Sequence, residues 1–357
     1  MTQETLKVIL SEAVYAPSGD NLQPWHFEFS RQSGVLKVFA DLKKDNFVLN
    51  FRWRGTYIAV GALLENISIT SKKNGFTARI KLFPDGQSQP NFIAEILFEK
   101  NDPDEDELYE FIRSSRTNRR PYEKDPISEE KKAALLSGAR NQFCRLILLS
   151  GRREISGLAP AFSVMERVAL ENETLHRLFF KDIVWSETEE KEKKSGLYLK
   201  TLELPSPAGM VFRLIKYWPI MKVFNALGFS RFAAFGNASV YSSSGALGAI
   251  IMSETTAKAF VEAGRMLQRT WLLCTKLGLS FQIVTGIVFL AEKFTSGERK
   301  GFTGKHIALV ENSNQTIRKH FDARGEEVIG LTFRIGVAKP PSATSSRKEP
   351  VIKIVQK

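Results

Sequence analysis

Apolar residues fall at helical spacing from the start of the chain. Within residues 3–15, Leu6, Ile9, Leu10 and Ala13 share one face and predict a helix. Pro17, Ser18 and Gly19 break that pattern, and the polar residues through Asn21 predict a turn. Short strands are predicted at residues 26–29 and 35–40, with Ser33 and Gly34 turning the chain between them. A long helix is predicted over about residues 56–74, stopped by Gly75 and followed by strands at 77–83 and 93–99.

The acidic run at residues 101–107, interrupted by Pro103, predicts an exposed boundary whose last acids favour the start of a helix through Ile112. A second unit then opens. Ser128, Glu130 and Lys131 begin a helix through Leu136, and residues 145–150 predict a strand. About residues 160–236 read as an insertion, with helical patterns at 162–177 and 187–200 and an aromatic, basic stretch at 210–235. An insertion of this size points to a lid, a dimerisation arm or a membrane-touching patch, with the lid preferred. The Pro-, Ser- and Thr-rich residues 340–347 give way to an alternating stretch at 351–355, which predicts a tail that packs or adds a strand.

The spacing repeats within the chain. Gly61, Leu64, Ile67 and Gly75 are matched by Gly264, Leu267, Thr270 and Gly278, and each second glycine precedes an apolar strand. Residues 6–29 resemble residues 131–149 in the same order. Chance similarity between amphipathic helices is the alternative to a duplicated α+β unit.

Composition narrows the function. The 357 residues are 43% hydrophobic and 25% charged, as in an ordinary globular protein. The formal net charge of +12 suits anionic ligands, but it is scattered, and no nucleic-acid module accompanies it. Cys144 and Cys274 alone build no disulfide framework or zinc cluster. His26, His176, His306 and His320 are too scattered for a metal site, so no metal is expected. The opening residues lack the order of a signal peptide, and cations interrupt residues 208–235, so a soluble, cytoplasmic protein without an integral membrane span is expected.

No glycine-rich phosphate loop or nucleophile elbow is present, which leaves chemistry that a cofactor would carry. The turn containing Pro17, Ser18, Asn21 and Gln23 offers hydroxyl and amide groups beside the stiff wall of Pro24 and Trp25. A plain helix-ending turn before a buried Trp reads equally well. Arg116, Thr117, Asn118, Arg119 and Arg120 form the densest donor cluster, suited to phosphate or to a solvated face.

Together, residues 17–25 (Pro-Ser-Gly-Asp-Asn-Leu-Gln-Pro-Trp) and residues 116–119 (Arg-Thr-Asn-Arg) resemble the motifs of the nitroreductase-like FMN flavoprotein superfamily. Residues 264–286 are similar to its later core helix, glycine turn and strand, and residues 331–339 with Arg347 to its C-terminal end. The motif order departs from single-unit members, since Pro17 and Ser18 precede Arg116. The chain therefore resembles the tandem branch, in which two fused halves imitate a dimer and a lid covers the site.

That resemblance implies an α+β, nitroreductase-like fold. Two pseudo-symmetric halves, 1–106 and 107–357, would hold central antiparallel or mixed sheets surrounded by helices, with a C-terminal extension at about 340–357. It implies FMN held by Pro17, Ser18, Asn21, Gln23, Trp25, Arg116, Thr117, Arg119, Thr285, Gly286 and Arg347. Arg116, Arg119 and Arg347 would face the phosphate, and Thr285 and Gly286 the reactive ring edge. Residues 137–143 lack the turn motif at the repeated position, so one complete site per chain is expected. The implied activity is FMN-dependent reduction of a nitro-compound, quinone or similar small substrate, with NADH or NADPH as donor and no catalytic side chain. The alternative is a non-catalytic FMN-binding or flavin-storage protein. A monomer is expected, because the halves would mimic the family dimer.

Overall fold

The computed structural model describes residues 1–44, 47–102 and 106–356. The boundary expected at 101–107 lies in part, at 103–105, outside the described residues.

Helix α1 (Gln3–Ala13) starts at Thr2, whose hydroxyl accepts from Thr5 N, and buries Leu6, Ile9, Leu10 and Ala13 on the face read from the sequence. Strands β1 (Trp25–Ser30) and β2 (Val35–Ala40) pair antiparallel, and β2 alternates with Leu36, Val38 and Ala40 inward. Helix α2 (Arg54–Lys73) is buried along nearly its whole length and leads into β3 (Phe76–Leu82) and β4 (Phe92–Lys100). Beyond the acidic run, the expected helix through Ile112 is only a single tight turn, Tyr109–Phe111.

Helix α3 (Glu129–Gly138) and β5 (Cys144–Leu149) follow, and then the inserted segment. Helix α4 (Arg152–Phe162) ends where the periodic pattern at 162–177 begins, and that pattern divides into two helices, α5 (Val164–Glu171) and α6 (Glu173–Lys181). Asn172 separates the last two, its side chain accepting from Leu175 N as an N-cap. A short parallel pair, β6 (Ile183–Val184) and β7 (Leu197–Tyr198), flanks α7 (Glu187–Lys193), which stops where Lys194 turns left-handed. Three more helices complete this region: α8 (Ser206–Ile215), α9 (Trp218–Ala226) and α10 (Phe229–Ser242).

The chain then forms β8 (Ala246–Met252), α11 (Ala257–Lys276), β9 (Ser280–Ile283), α12 (Gly286–Thr295), α13 (Gly304–His320), β10 (Val328–Gly336) and β11 (Ile352–Val355). The architecture is α+β. One sheet, ordered β11-β1-β2-β4-β3, is mixed, because β11 joins β1 in parallel. The second, ordered β5-β8-β10-β9, is wholly antiparallel. The apolar tail thus adds a strand, and it adds it to the sheet of the N-terminal residues.

Helices α2 and α11, each 20 residues, cross at the core between the sheets. A Cβ at Gly61 would stand 1.9 Å from the Val261 carbonyl oxygen, and one at Gly264 would stand 2.0 Å from that of Ile58. The contact is reciprocal, and the missing side chains let the backbones touch. Strand β8 is buried on both faces. Ala246, Ile250 and Met252 join the core of α2 and α11, while Leu247, Ala249 and Ile251 join a second cluster with α4, α12 and α13. The inserted helices therefore rest on a sheet face that water would otherwise reach.

Candidate functional site

Residues 18–23 form a turn built from left-handed backbone: Asp20, Asn21 and Gln23 have φ of 45°, 56° and 52°. Such angles disfavour side-chain-bearing residues, so the surroundings must hold them. Ser18 Oγ accepts from Gln23 N at 3.0 Å, which closes the turn on itself. Asn21 Nδ2 donates to Ser346 O at 3.0 Å. Gln23, almost wholly buried, donates to Lys194 O at 2.7 Å and accepts from Lys348 N at 2.8 Å. One turn is thereby fastened to the inserted segment and to the C-terminal tail.

The arginine cluster is set by the edge of the second sheet. Thr117 bridges to Phe281 in parallel, and Asn118 N donates to Phe281 O at 2.9 Å. Asn118 is buried, and its amide reaches Ser280 Oγ and Lys339 O. Buried Arg334 lies over the Tyr122 ring at 3.8 Å and donates to Arg120 O at 2.7 Å. These anchors fix the backbone from 117 to 122.

Between turn and cluster lies a cavity of about 450 Å³. Pro17, Ser18, Asn21, Arg116, Thr117, Arg119 and Arg347 all line it. The structure thus brings seven of the eleven sequence-derived site residues to one place, from three distant parts of the chain. Gln23 stands behind the wall as a positioning residue, as its hydrogen bonds require. Trp25 lies in β1 and packs on the core around the first sheet. Thr285 and Gly286 do not line the cavity. Thr285 Oγ1 donates to Thr332 O at 3.2 Å, and Gly286 lies under the Met165 side chain of α5, whose Cγ would stand 2.8 Å from a Cβ there.

The lining also includes residues that the sequence reading missed. Tyr15 ends the first helical pattern, and Arg113 lies over its ring while paired bidentately with Glu12. Lys194, Leu197 and Thr201 come from the inserted segment. Trp271 of α11 reaches the cavity from a stack with Phe281 and Phe333, at ring separations of 4.7 and 4.6 Å. The helical period of α11 was a signal for Trp271, but period alone does not separate a core tryptophan from a cavity wall.

The electrostatics favour an anion, because the lining carries five cations, Arg113, Arg116, Arg119, Lys194 and Arg347, against two acids, Asp20 and Glu349. Among the described residues, Arg116, Arg119 and Arg347 form no ion pair with a carboxylate. Burial lowers the pKa of the Arg119 guanidinium, opposed by the charge of Asp20. Burial likewise pushes Arg347 down to about 10, opposed by Tyr15 and Glu190. Among the described residues Arg347 Nε is enclosed without a hydrogen-bond partner, and its Nη1 reaches only the carbonyls of Ser345 and Ser346. An enclosed, charged donor left unpaired is costly unless a ligand completes it.

The C-terminal tail forms one wall. Buried Glu190 accepts from Ser346 N and Oγ, and Glu203 accepts from Ser342 N at 2.6 Å while pairing with Arg120 at 3.1 Å.

No protein-family model matches the chain. Uncharacterized protein MT1398 of Mycobacterium tuberculosis is 24% identical over 358 residues, which take in 97% of this chain and 47% of that protein. The chain therefore spans about half the length of the curated relative it matches. Among solved structures, an FMN-dependent nitroreductase from Clostridium difficile R20291 is 13% identical at a TM-score of 0.37, over 70% of this chain and 98% of that one. A nitroreductase with bound FMN from Bacteroides fragilis is 10% identical at a TM-score of 0.35, over 68% and 94% of the two chains. The FMN-dependent nitroreductase NfnB of Mycobacterium smegmatis, in complex with NADPH, is 16% identical at a TM-score of 0.36, over 64% and 86%.

Proposed function

We propose that the cavity binds FMN and that the protein is an FMN-dependent oxidoreductase of the nitroreductase type. The observation that carries this reading is the convergence of Arg116, Arg119 and Arg347 on one cavity, with Arg347 Nε enclosed and without a partner among the described residues; Arg119 is engaged only through Nη1, which donates to Thr201 O at 3.1 Å. Its fit to a phosphate-bearing ligand is chemical: forked, permanently charged donors suit phosphate oxygens. The size also fits, since about 450 Å³ lies within the range of small-ligand sites.

In this reading Arg116, Arg119 and Arg347 hold the phosphate, and the hydroxyls of Ser18 and Thr117 and the amide of Asn21 hold the ribityl chain. Trp271 supplies an apolar wall. FMN, when bound, would supply hydride chemistry between NADH or NADPH and a nitro-compound, quinone or similar small substrate. The chain would orient it, exclude water with the inserted segment and tail, and place positive charge where negative charge develops. Thr285 and Gly286 are proposed at the ring edge on the resemblance alone.

We read residues 1–106 and 107–357 as two fused halves, with the reciprocal crossing at Gly61 and Gly264 in support, and the inserted segment as a lid. One FMN per chain is expected. At the repeated position Asn141 is already engaged, donating to Glu262 at 2.9 Å and accepting from Phe143 N at 2.7 Å.

The test is reconstitution with FMN, monitored by absorbance and gel filtration. Retention of one FMN per chain is the expected result. No retention would sink the binding reading, and two per chain would sink the single-site reading. Walls contributed by both the inserted segment and the tail favour, as a second reading, a flavin-storage protein with restricted access. Anaerobic mixing with NADH or NADPH decides between the two. Prompt bleaching followed by reoxidation with a quinone supports the enzyme, and slow bleaching with both donors supports storage.

A further inference from the structure

The inserted helices carry a feature that a lid does not need. Inward, Ile215 and Met221 are buried in a small cluster with Phe180, Ile183 and Leu197, and Val211, Phe212 and Trp218 pack against it. Those side chains account for the apolar positions that a lid requires. A second set points outward. Met210 and Leu214 on α8, Val223 near the end of α9 and Leu227 capping it, and Phe232 and Phe235 on α10 are all at least half exposed. Leu227, Phe235 and Phe232 are 82%, 75% and 72% exposed. In each helix the outward residues stand about one turn apart, so each helix presents an apolar face, and α9 packs against both α8 and α10.

The charge on this surface is of one sign. From Leu204 to Ser253 the chain has no Asp or Glu, while Arg213, Lys216, Lys222 and Arg231 fall among the exposed apolar residues. Among the described residues none of these four cations forms an ion pair with a carboxylate. Lys222 and Arg231 are exposed, and Lys216 lies over the rings of Trp185 and Tyr217 at 5.0 and 4.9 Å. Exposed large apolar side chains rimmed by cations, on short helices, are the composition of segments that lie in a bilayer interface. No helix among the described residues is long and apolar enough to cross a membrane, so insertion would be shallow.

We infer that α8, α9 and α10 form a docking surface for the face of a bilayer carrying anionic lipids. Leu227, Phe232 and Phe235 enter the interface, while Lys222 and Arg231 meet the headgroups. An acidic protein would complement the charge, but it would not call for three successive helices with exposed Leu and Phe at their outer faces. The inference stands apart from the FMN reading, since none of these residues lines the cofactor cavity.

The test is co-sedimentation of the full chain with phosphatidylcholine vesicles, with and without phosphatidylglycerol. Binding is expected with phosphatidylglycerol only, and it should weaken as salt is raised. Replacing two headgroup cations in K222Q/R231Q should weaken it roughly 30-fold, at about 1 kcal/mol per cation. The L227S/F232S/F235S variant should weaken it at least about ten-fold, the buried side of the helices being untouched. Failure of the unaltered chain to bind phosphatidylglycerol vesicles would overturn the inference, as would equal binding to neutral vesicles. So would self-association in sedimentation velocity that L227S/F232S/F235S abolishes without any vesicle binding, because the face would then join two copies. If that variant does not fold by circular dichroism, K222Q/R231Q decides alone.

Discussion

Arg347 is the side chain whose replacement reports most directly on the cavity, because its Nε has no partner among the described residues. Replacing it with Met keeps the stem and removes the charged donors. If these bind a ligand phosphate, the dissociation constant for FMN should rise on the order of 10- to 100-fold, the worth of one charge-assisted hydrogen bond. Titration of flavin fluorescence measures this, and an unchanged constant would remove Arg347 from the site. Gln23 is expected to act differently, since it touches the tail and the inserted segment rather than the cavity. Gln23→Leu leaves Lys194 O and Lys348 N without their partner, so hydrogen exchange should quicken at residues 343–349, with stability lower by about 1–3 kcal/mol. At this scale the sequence was legible where chemistry is local. Ser18, Asn21, Arg116 and Arg119 announce themselves as donors beside one another. Lys194 and Trp271 do not, because a lysine ending a charged helix and a tryptophan in a core helix look the same wherever the fold takes them.

Between elements, the crossing of α2 and α11 leaves no freedom for a side chain. A methyl at Gly264 would stand 2.0 Å from a backbone oxygen that only a shift of the helix can move. Gly264→Ala should therefore destabilise the chain by about 3 kcal/mol or more, beyond the usual cost of overpacking, while an alanine at half-buried Gly209, whose Cβ would meet no described atom within 4 Å, should not. Denaturant unfolding of the two variants makes the comparison. Glu171 supplies the second element-scale test. Burial disfavours its carboxylate, but hydrogen bonds from Arg167, Ser230 and Lys305 outweigh burial and hold its pKa at about 2, below the ordinary 4.5. Those bonds tie α5 to α10 and α13. A depressed carboxylate contributes stability above its unfolded pKa and loses it on acidification, so the melting temperature should fall as pH drops from 4.5 towards 2. Glu171→Gln should flatten that dependence, and an unflattened profile would assign it to other groups. The long helices were legible from their apolar period and glycine stops. The break at Asn172 was not, because apolar spacing continues across the N-cap and hides it.

Across the whole molecule, the cavity is assembled from parts that the sequence separates by hundreds of residues. The turn near Ser18 comes from the N-terminal sheet, the arginine segment from the edge of the other, and Arg347 from a tail that returns to the first. That return was legible only as an alternating stretch. Its partner strand was not, because alternation specifies a pleated, half-buried strand without naming its neighbour. The tail is held in two ways: β11 pairs with β1, and residues 342–348 bond to Glu203, Glu190, Asn21 and Gln23. Two truncations separate these anchors. Ending the chain after Pro350 removes β11 but keeps Arg347 and every one of the side-chain anchors, so FMN affinity should fall by no more than about ten-fold, the worth of roughly 1.4 kcal/mol. Ending it after Lys339 removes Arg347, one cavity wall and the partners of Gln23 and Glu190, and leaves that buried carboxylate without its donors. FMN retention should then be lost, and the melting temperature should drop further than in the shorter truncation. Equal loss in both would mean that the strand, rather than the contacts at 342–348, sets the position of Arg347.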